Sequence, residues 1–232
     1  MAIRKTPLVD GEYYHIYNRG NSKQKIFLDK EDYLHFIKLL FICNSNKKFK
    51  FRDNIVDPKI DAFDFNRKEP LVSIGAWVVM PNHFHLYITT SHQSDWWESL
   101  GLDNKNRISE FMRKLLTAYT LYFNGKYKRT GSLFEGKFKS VHIEKDNQAK
   151  YLFSYIHLNP IKLIQKDWKE NGIKNFEIAL NYLHRYKWSS YFDFKNIKRK
   201  ENKILNLIDF PKYFSNLNDF DNEILEWLKY KE

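Results

Sequence analysis

The chain holds a single cysteine, Cys43, among 232 residues. One thiol excludes an intramolecular disulfide framework and any zinc site built on cysteine. No apolar run is long enough to span a bilayer. The opening stretch "MAIRKTPLVDGEYYH" lacks the apolar core of a secretion signal. Internal repeats and low-complexity tracts are also missing. These absences lead to the expectation of a cytoplasmic protein with no membrane association. Its length suits one domain with additions or two small ones, and it can bury a core without staples.

Positive charge is abundant. The formal net charge is +11, which favours an anionic partner. No basic amphipathic helix stands out, so nucleic acid is favoured over a membrane surface. Abundant Lys, Asn, Ile, Phe and Tyr are also what an AT-rich genome would give, so the distribution of charge is more telling than its sum. Between Lys105 and Lys145 ten Lys or Arg face three Glu, whereas from Glu201 to Glu232 seven acids face four Lys. A localised anion-binding surface fits this better than uniform drift.

The pattern predicts a strand from about Glu12 to Asn18 that runs into an Asn-Arg-Gly-Asn turn. A helix follows in "DKEDYLHFIKLLFI", with Tyr33, Phe36, Ile37, Leu40 and Phe41 at helical spacing. Residues 44–70 lack a sustained period and read as an insertion or long loop. "LVSIGAWVV" and "HFHLYITT" are strands joined at the "MPN" turn. A long helix from about Arg107 to Phe123 carries one apolar stripe. A basic loop, a fourth strand in "KFKSVHI" and a helix that Asp146 could cap and Pro160 could end complete this part. Strand, helix, strand, strand, helix, strand is the split βαβ order of a ferredoxin-like domain. The expected fold class is α+β, an antiparallel sheet with helices on one face, plus a C-terminal helical extension. The domain expectation is 1–165 for the core, with the insertion, and 166–232 for an extension packing on or beside it. "YKWSSYFDF" reads as a packing segment, and 204–230 as one or two short amphipathic helices.

His83 and His85 open the second arm of the hairpin in "WVVMPNHFHLYI". At i and i+2 of a strand they share a face, with Phe84 pointing the other way. They are either polar residues of a half-exposed sheet or two ligands of one metal ion. His15 and His142 read as satisfied core or surface histidines. Ser132, Ser189 and Ser190 have no evident His-Asp company of the kind a serine hydrolase needs.

Five segments in order, "YHIYNRGN", "WVVMPNHFHLYI", "GSLFEGKFKS", "YIHLNP" and "WSSY", resemble the REP-associated tyrosine transposases of the HUH superfamily of single-strand DNA endonucleases. The resemblance covers about residues 12–191; the 44–70 insertion and the acidic tail match poorly. It implies that His83 and His85 hold a divalent metal, Mg²⁺ or Mn²⁺. It also implies that Tyr155 is the nucleophile and Asn159 the third ligand. Tyr151, one turn earlier on the same helical face, competes for the nucleophile's role. Asn159 has a second reading as the ordinary residue before Pro160, and His157 as a structural or DNA-contacting group. The implied activity is cleavage and rejoining of single-stranded, hairpin-forming repeat DNA through a 5′-phosphotyrosine, with single-stranded or hairpin DNA as partner.

The "GKYKRTGSLFEGKFK" loop offers Lys126, Lys128, Arg129, Lys137 and Lys139 to phosphates, and Tyr127, Phe134 and Phe138 to unstacked bases. Its bland reading is a solvated basic loop with Phe134 tucked into the core. Asn18, Arg19 and Asn21 either contact bases beside the cleavage site or only make a turn. The competing functional class is a non-catalytic nucleic-acid-binding module on the same scaffold, which needs basic and aromatic groups but no histidine pair. The sequence leaves monomer and homodimer both open.

Overall fold

The computed structural model describes residues 7–90, 107–213 and 217–229; the first six residues of the stretch read above for a secretion signal lie outside this range. Four strands, β1 (Tyr13–Arg19), β2 (Ser73–Met80), β3 (His83–Thr89) and β4 (Lys139–Ile143), form one antiparallel sheet in the order β2-β3-β1-β4. Helix α1 (Lys30–Ile42) joins β1 to β2, and α2 (Arg107–Lys126) lies between β3 and β4. This is the expected split βαβ arrangement.

Alternation along the strands separates two cores. Tyr14 and Ile16 of β1, Trp77 and Val79 of β2, and Phe84, Leu86 and Ile88 of β3 face α1 and α2. Asp29 caps α1 reciprocally with Asp32: each side chain accepts the other's backbone N–H, which satisfies two otherwise orphaned donors. The aperiodic 44–70 segment contributes to this core too. It holds a π-helical turn, Arg52–Val56, and a 3₁₀ turn, Ala62–Asp64, and buries Ile55, Ala62 and Phe63. Its ends are tied by Asn44, whose amide pairs with the backbone of Val72 at 2.8 and 2.9 Å.

The opposite sheet face is covered by α3 (Asp146–Leu158) and the C-terminal segment. The residue preceding α3 is Lys145 rather than Asp146. Gln148 closes the turn by accepting from the backbone N–H of Glu144 and Lys145, and Asp146 sits in the first turn. There its charge complements the helix dipole. Pro160 does not break the chain's helical course; it lies at the start of a 3₁₀ turn, Asn159–Leu163, where its missing N–H costs nothing.

Helices α4 (Trp168–Asn171), α5 (Phe176–Leu183) and α6 (Tyr191–Phe194), a 3₁₀ turn Lys200–Ile204, and α7 (Leu217–Lys229) follow. The "WSSY" segment covers the free edge of β2. Val79 donates its N–H to the Trp188 carbonyl at 2.9 Å, and Ser190 donates to that of Trp77 at 2.9 Å. An edge strand so paired cannot recruit a foreign strand. Gly75 sits where Phe210 crosses β2; a Cβ there would meet the ring at 2.8 Å. Among the described residues no helix is long and apolar enough to cross a membrane.

Candidate active site

The site forms on the sheet face that carries α3. Residues 13, 15, 17 and 19 of β1 point to this face. Antiparallel pairing sets Tyr17 opposite His85 and Arg19 opposite His83. His83 and His85 stand with ring centroids 5.0 Å apart. Tyr155 reaches down from α3, edge-on to His85 at 5.3 Å between centroids. Asn159, one turn further, is buried with its amide against His83. The structure therefore brings together His83, His85, Tyr155 and Asn159.

Each imidazole has its Nδ1 engaged. The Nδ1 of His83 lies 2.6 Å from Asn82 Oδ1, and that of His85 lies 2.8 Å from His15 Nε2. Nε2 is then the remaining nitrogen on both rings. Burial pushes His83 and His15 down to about 4, and His85 well below its ordinary value; for His83 the Asn159 amide opposes this in part. All three are thus neutral near pH 7, the state in which an imidazole lone pair can bind a metal.

Asn159 supplies the test of fit. Among the described residues neither its Oδ1 nor its Nδ2 has a hydrogen-bond partner of ordinary geometry, although both are buried. Such an orphan calls for a ligand or water. No group of three His, Cys, Asp or Glu among the described residues is arranged to hold a metal. Two imidazole nitrogens and one carboxamide oxygen are a donor set that suits Mn²⁺ and, less well, Mg²⁺, with positions left for substrate oxygens.

A cavity of about 620 Å³ opens beside the cluster between β4 and α3, lined by His15, Tyr17, His85, His142, Tyr151 and Tyr155 among others. A second cavity, of about 350 Å³, lies under the C-terminal segment around Phe153, Phe210 and Phe220; its lining includes no imidazole. Tyr151 stacks on Tyr155 at 6.2 Å, but its hydroxyl accepts from Lys169 Nζ at 3.0 Å. The Tyr155 hydroxyl has no hydrogen-bond partner among the described residues.

The basic loop is less uniform than its sequence. Lys126 is held by Asp29, Glu31 and the buried Asp32, and the Tyr127 hydroxyl also bonds to Asp32. Phe134 is buried against Phe84 and Tyr119. Phe134 is therefore a core residue rather than a platform for bases, while Lys126 and Tyr127 are engaged by acids of α1. Phe138 packs partly against the same core. Arg129 is half-buried with its guanidinium over Phe123. Lys128, Lys137 and Lys139 remain exposed. Asn18 is buried and donates to the Gly136 carbonyl at 3.2 Å, so it makes the turn rather than reading bases. Arg19 forms a two-pronged pair with Glu135, and Asn21 is exposed.

Sequence reasoning under-rated His15. The β1 alternation that puts it on one face with Tyr17 was the available signal; the missing piece was the register that sets it beside His85. Lys162 and Lys169, whose ammonium groups lie 5.4 and 4.1 Å from the Tyr155 ring centroid, went unnoticed. Lys162 is seven residues on from Tyr155, a spacing that keeps one helical face. Lys169 carries no local signal. Ser190 does have an imidazole partner, His157, at 2.8 Å, but both are fully buried, so the pair joins α3 to the β2 edge and cannot meet a substrate.

The sheet order and the helices that cover it define a ferredoxin-like α+β domain. No protein-family model and no curated protein matches the chain. Among solved structures it is similar to a REP-associated tyrosine transposase bound to a REP hairpin, at 15% identity and a TM-score of 0.46, over 87% of this chain and 90% of that one. It is also similar to a Deinococcus radiodurans protein provisionally assigned as a transposase, at 14% identity and a TM-score of 0.33, over 66% of this chain and 93% of that one.

Proposed function

We propose that the protein is a metal-dependent single-stranded DNA endonuclease and strand transferase, acting on hairpin-forming repeat DNA through a covalent 5′-phosphotyrosine at Tyr155. The observation that carries this reading is the convergence of His83, His85 and Tyr155 with the buried Asn159 amide, which lies against His83 without a hydrogen bond of ordinary geometry. The resemblance of the "YIHLNP" and "HFH" blocks points to the same four residues.

His83, His85 and Asn159 would hold Mg²⁺ or Mn²⁺; when bound, the ion supplies Lewis-acid neutralisation of the phosphodiester's charge. The protein's own part is positional. His15 and Asn82 fix the two rings by their Nδ1 atoms. Tyr155 Oη attacks phosphorus: a tyrosine–phosphorus bond forms, the bond to the 3′ oxygen breaks, the phenol loses its proton and the departing oxygen gains one. The product is a 5′-phosphotyrosine and a free 3′-OH. Attack by another 3′-OH reverses the step and joins strands without ATP, because the phenol is itself a good leaving group. Exposed Lys128, Lys137 and Lys139 would neutralise the strand leading to the site.

The test is incubation with hairpin oligonucleotides from the source genome, followed by a denaturing gel. A covalent band that requires Mn²⁺ or Mg²⁺ and vanishes with chelator is expected. Hairpin binding with no band would favour the non-catalytic binding module instead, and a band undiminished in the His83→Ala, His85→Ala double variant would refute the metal assignment to these histidines.

A further inference from the structure

We infer that Lys169, on the C-terminal extension, is a positioning residue for the tyrosine nucleophile; the inference rests on the nuclease reading and extends it to a segment outside the ferredoxin-like core. Its ammonium lies 4.1 Å from the Tyr155 ring centroid and 5.5 Å from that of Tyr151, and donates to the Tyr151 hydroxyl at 3.0 Å. One cation thereby bridges two tyrosines a helical turn apart, whose rings stack within 11° of parallel.

The platform beneath Lys169 is fixed. Neighbouring Trp168 is buried in the second core. The loop around α4 is closed by Gln165, which donates to the Gly172 carbonyl at 2.7 Å and accepts from the Lys174 N–H at 3.0 Å. Gly172 leaves α4 with φ of +68°, a conformation that suits glycine. The backbone that carries the lysine is thus anchored on both sides.

A tyrosine on a partly open helix face has two side-chain torsions to sample. A cation over its ring favours one orientation through the ring quadrupole, and the hydrogen bond to Tyr151 locates the cation. Orientation matters because the phenol must meet phosphorus in line with the departing 3′ oxygen. Lys169 also lines the cavity beside the cluster.

The test uses the full chain and hairpin DNA. Lys169→Met should slow adduct formation at saturating DNA by about tenfold or more, as misplacing a reactive group does. The DNA dissociation constant should change much less. Lys169→Arg should restore most of the rate. A loss confined to affinity, with the saturating rate unchanged, would make Lys169 a plain phosphate contact and overturn the inference; so would no effect on either. A second readout is independent of catalysis: in ¹³C-tyrosine spectra of the free protein, Lys169→Met should shift the Tyr151 and Tyr155 ring signals, and Lys169→Arg should return them. If wild type forms no adduct, the nuclease reading fails and the spectra alone judge Lys169; unmoved signals would then refute its positioning role.

Discussion

His15 Nε2 lies 2.8 Å from His85 Nδ1, across the β1–β3 pairing. With His85 donating from Nδ1, His15 accepts and the free lone pair of His85 is left on Nε2. Hydrogen bonds of this kind set a metal-binding imidazole's tautomer and orientation, and their loss typically lowers metal affinity about 10–100-fold. His15→Ala should weaken Mn²⁺ binding by that order, measured by calorimetry on folded protein. His15→Gln, which retains an acceptor, should lose less. Equal Mn²⁺ affinity in wild type and His15→Ala would show that His15 only fills space.

Tyr155→Phe removes one hydroxyl from a ring that already packs edge-on to His85, so fold and DNA binding should persist. The covalent adduct should disappear. Tyr151→Phe should still form the adduct, though more slowly, because that hydroxyl locates Lys169 rather than facing the histidine pair. Peptide mapping of the trapped adduct decides the matter. A nucleotide found on Tyr151, or on any residue outside α3, would refute the assignment.

The sheet and its helices were legible because their periods are strong. Strand alternation in "YYHIYNR" and the apolar stripe of α2 both follow directly from burial on one face. His83 and His85 were legible for the same reason, since a strand places i and i+2 together. The shared helix face of Tyr155 and Asn159 could be read from spacing, but their roles came from the resemblance. The loop was read less well. Lys126 and Tyr127 look like DNA contacts in sequence, yet Asp29 and Asp32, nearly a hundred residues earlier, claim them. Composition cannot show which cations are already paired, because pairing here is a tertiary fact. Phe134 fell to burial in the same way, and His15 waited on a register that no local pattern specifies.

The loop therefore divides into two experimental classes. Lys126→Ala leaves the fully buried Asp32 carboxylate short of its cation and should cost about 1–2 kcal/mol of stability, with solvent at the lysine moderating the loss. Its DNA affinity should be nearly unchanged once the protein is folded. Lys137→Ala with Lys139→Ala should behave oppositely, leaving the melting temperature alone while weakening DNA binding and flattening its salt dependence. Chemical denaturation and salt titrations of binding separate the two. The prediction is wrong if Lys126→Ala selectively loses DNA affinity at normal stability.

Acid should destabilise the fold. Burial holds His157 down to about 3 and His35 down to about 4, against an unfolded value near 6.5. The unfolded chain therefore takes up protons that the folded chain refuses. Their stabilising effect is complete above about pH 6.5 and is lost as pH falls toward 4 and 3, by about 1.4 kcal/mol per pH unit per histidine. Urea midpoints at pH 7.5, 6 and 5 should decline accordingly. His157→Gln should reduce the slope by about one proton, whatever it does to stability at pH 7. An unchanged slope would mean that His157 does not carry this linkage.

The acidic tail makes a poor DNA ligand by charge, yet its apolar side chains are part of both cores, so truncation should unfold the protein. Ile204 enters the first core, and Phe210, Phe220 and Ile224 enter the second. Asn206 donates its N–H to the Ile74 carbonyl at 3.1 Å, and the Asp209 carbonyl accepts from the Tyr13 hydroxyl at 3.0 Å. Removing residues beyond 200 strips these apolar side chains, each worth about 1.5–3 kcal/mol of burial. That sum is comparable with a domain's whole stability, about 5–15 kcal/mol. The truncated chain should lose its cooperative melting transition or aggregate. Exposed Glu226 tests the tail's charge without that damage. Glu226→Gln should melt as wild type does and bind hairpin DNA equally well or slightly more tightly, since it removes a negative charge. Native-like melting of the truncated chain would show the tail to be an appendage; weaker binding by Glu226→Gln would show that its acids assist the DNA rather than stand apart from it.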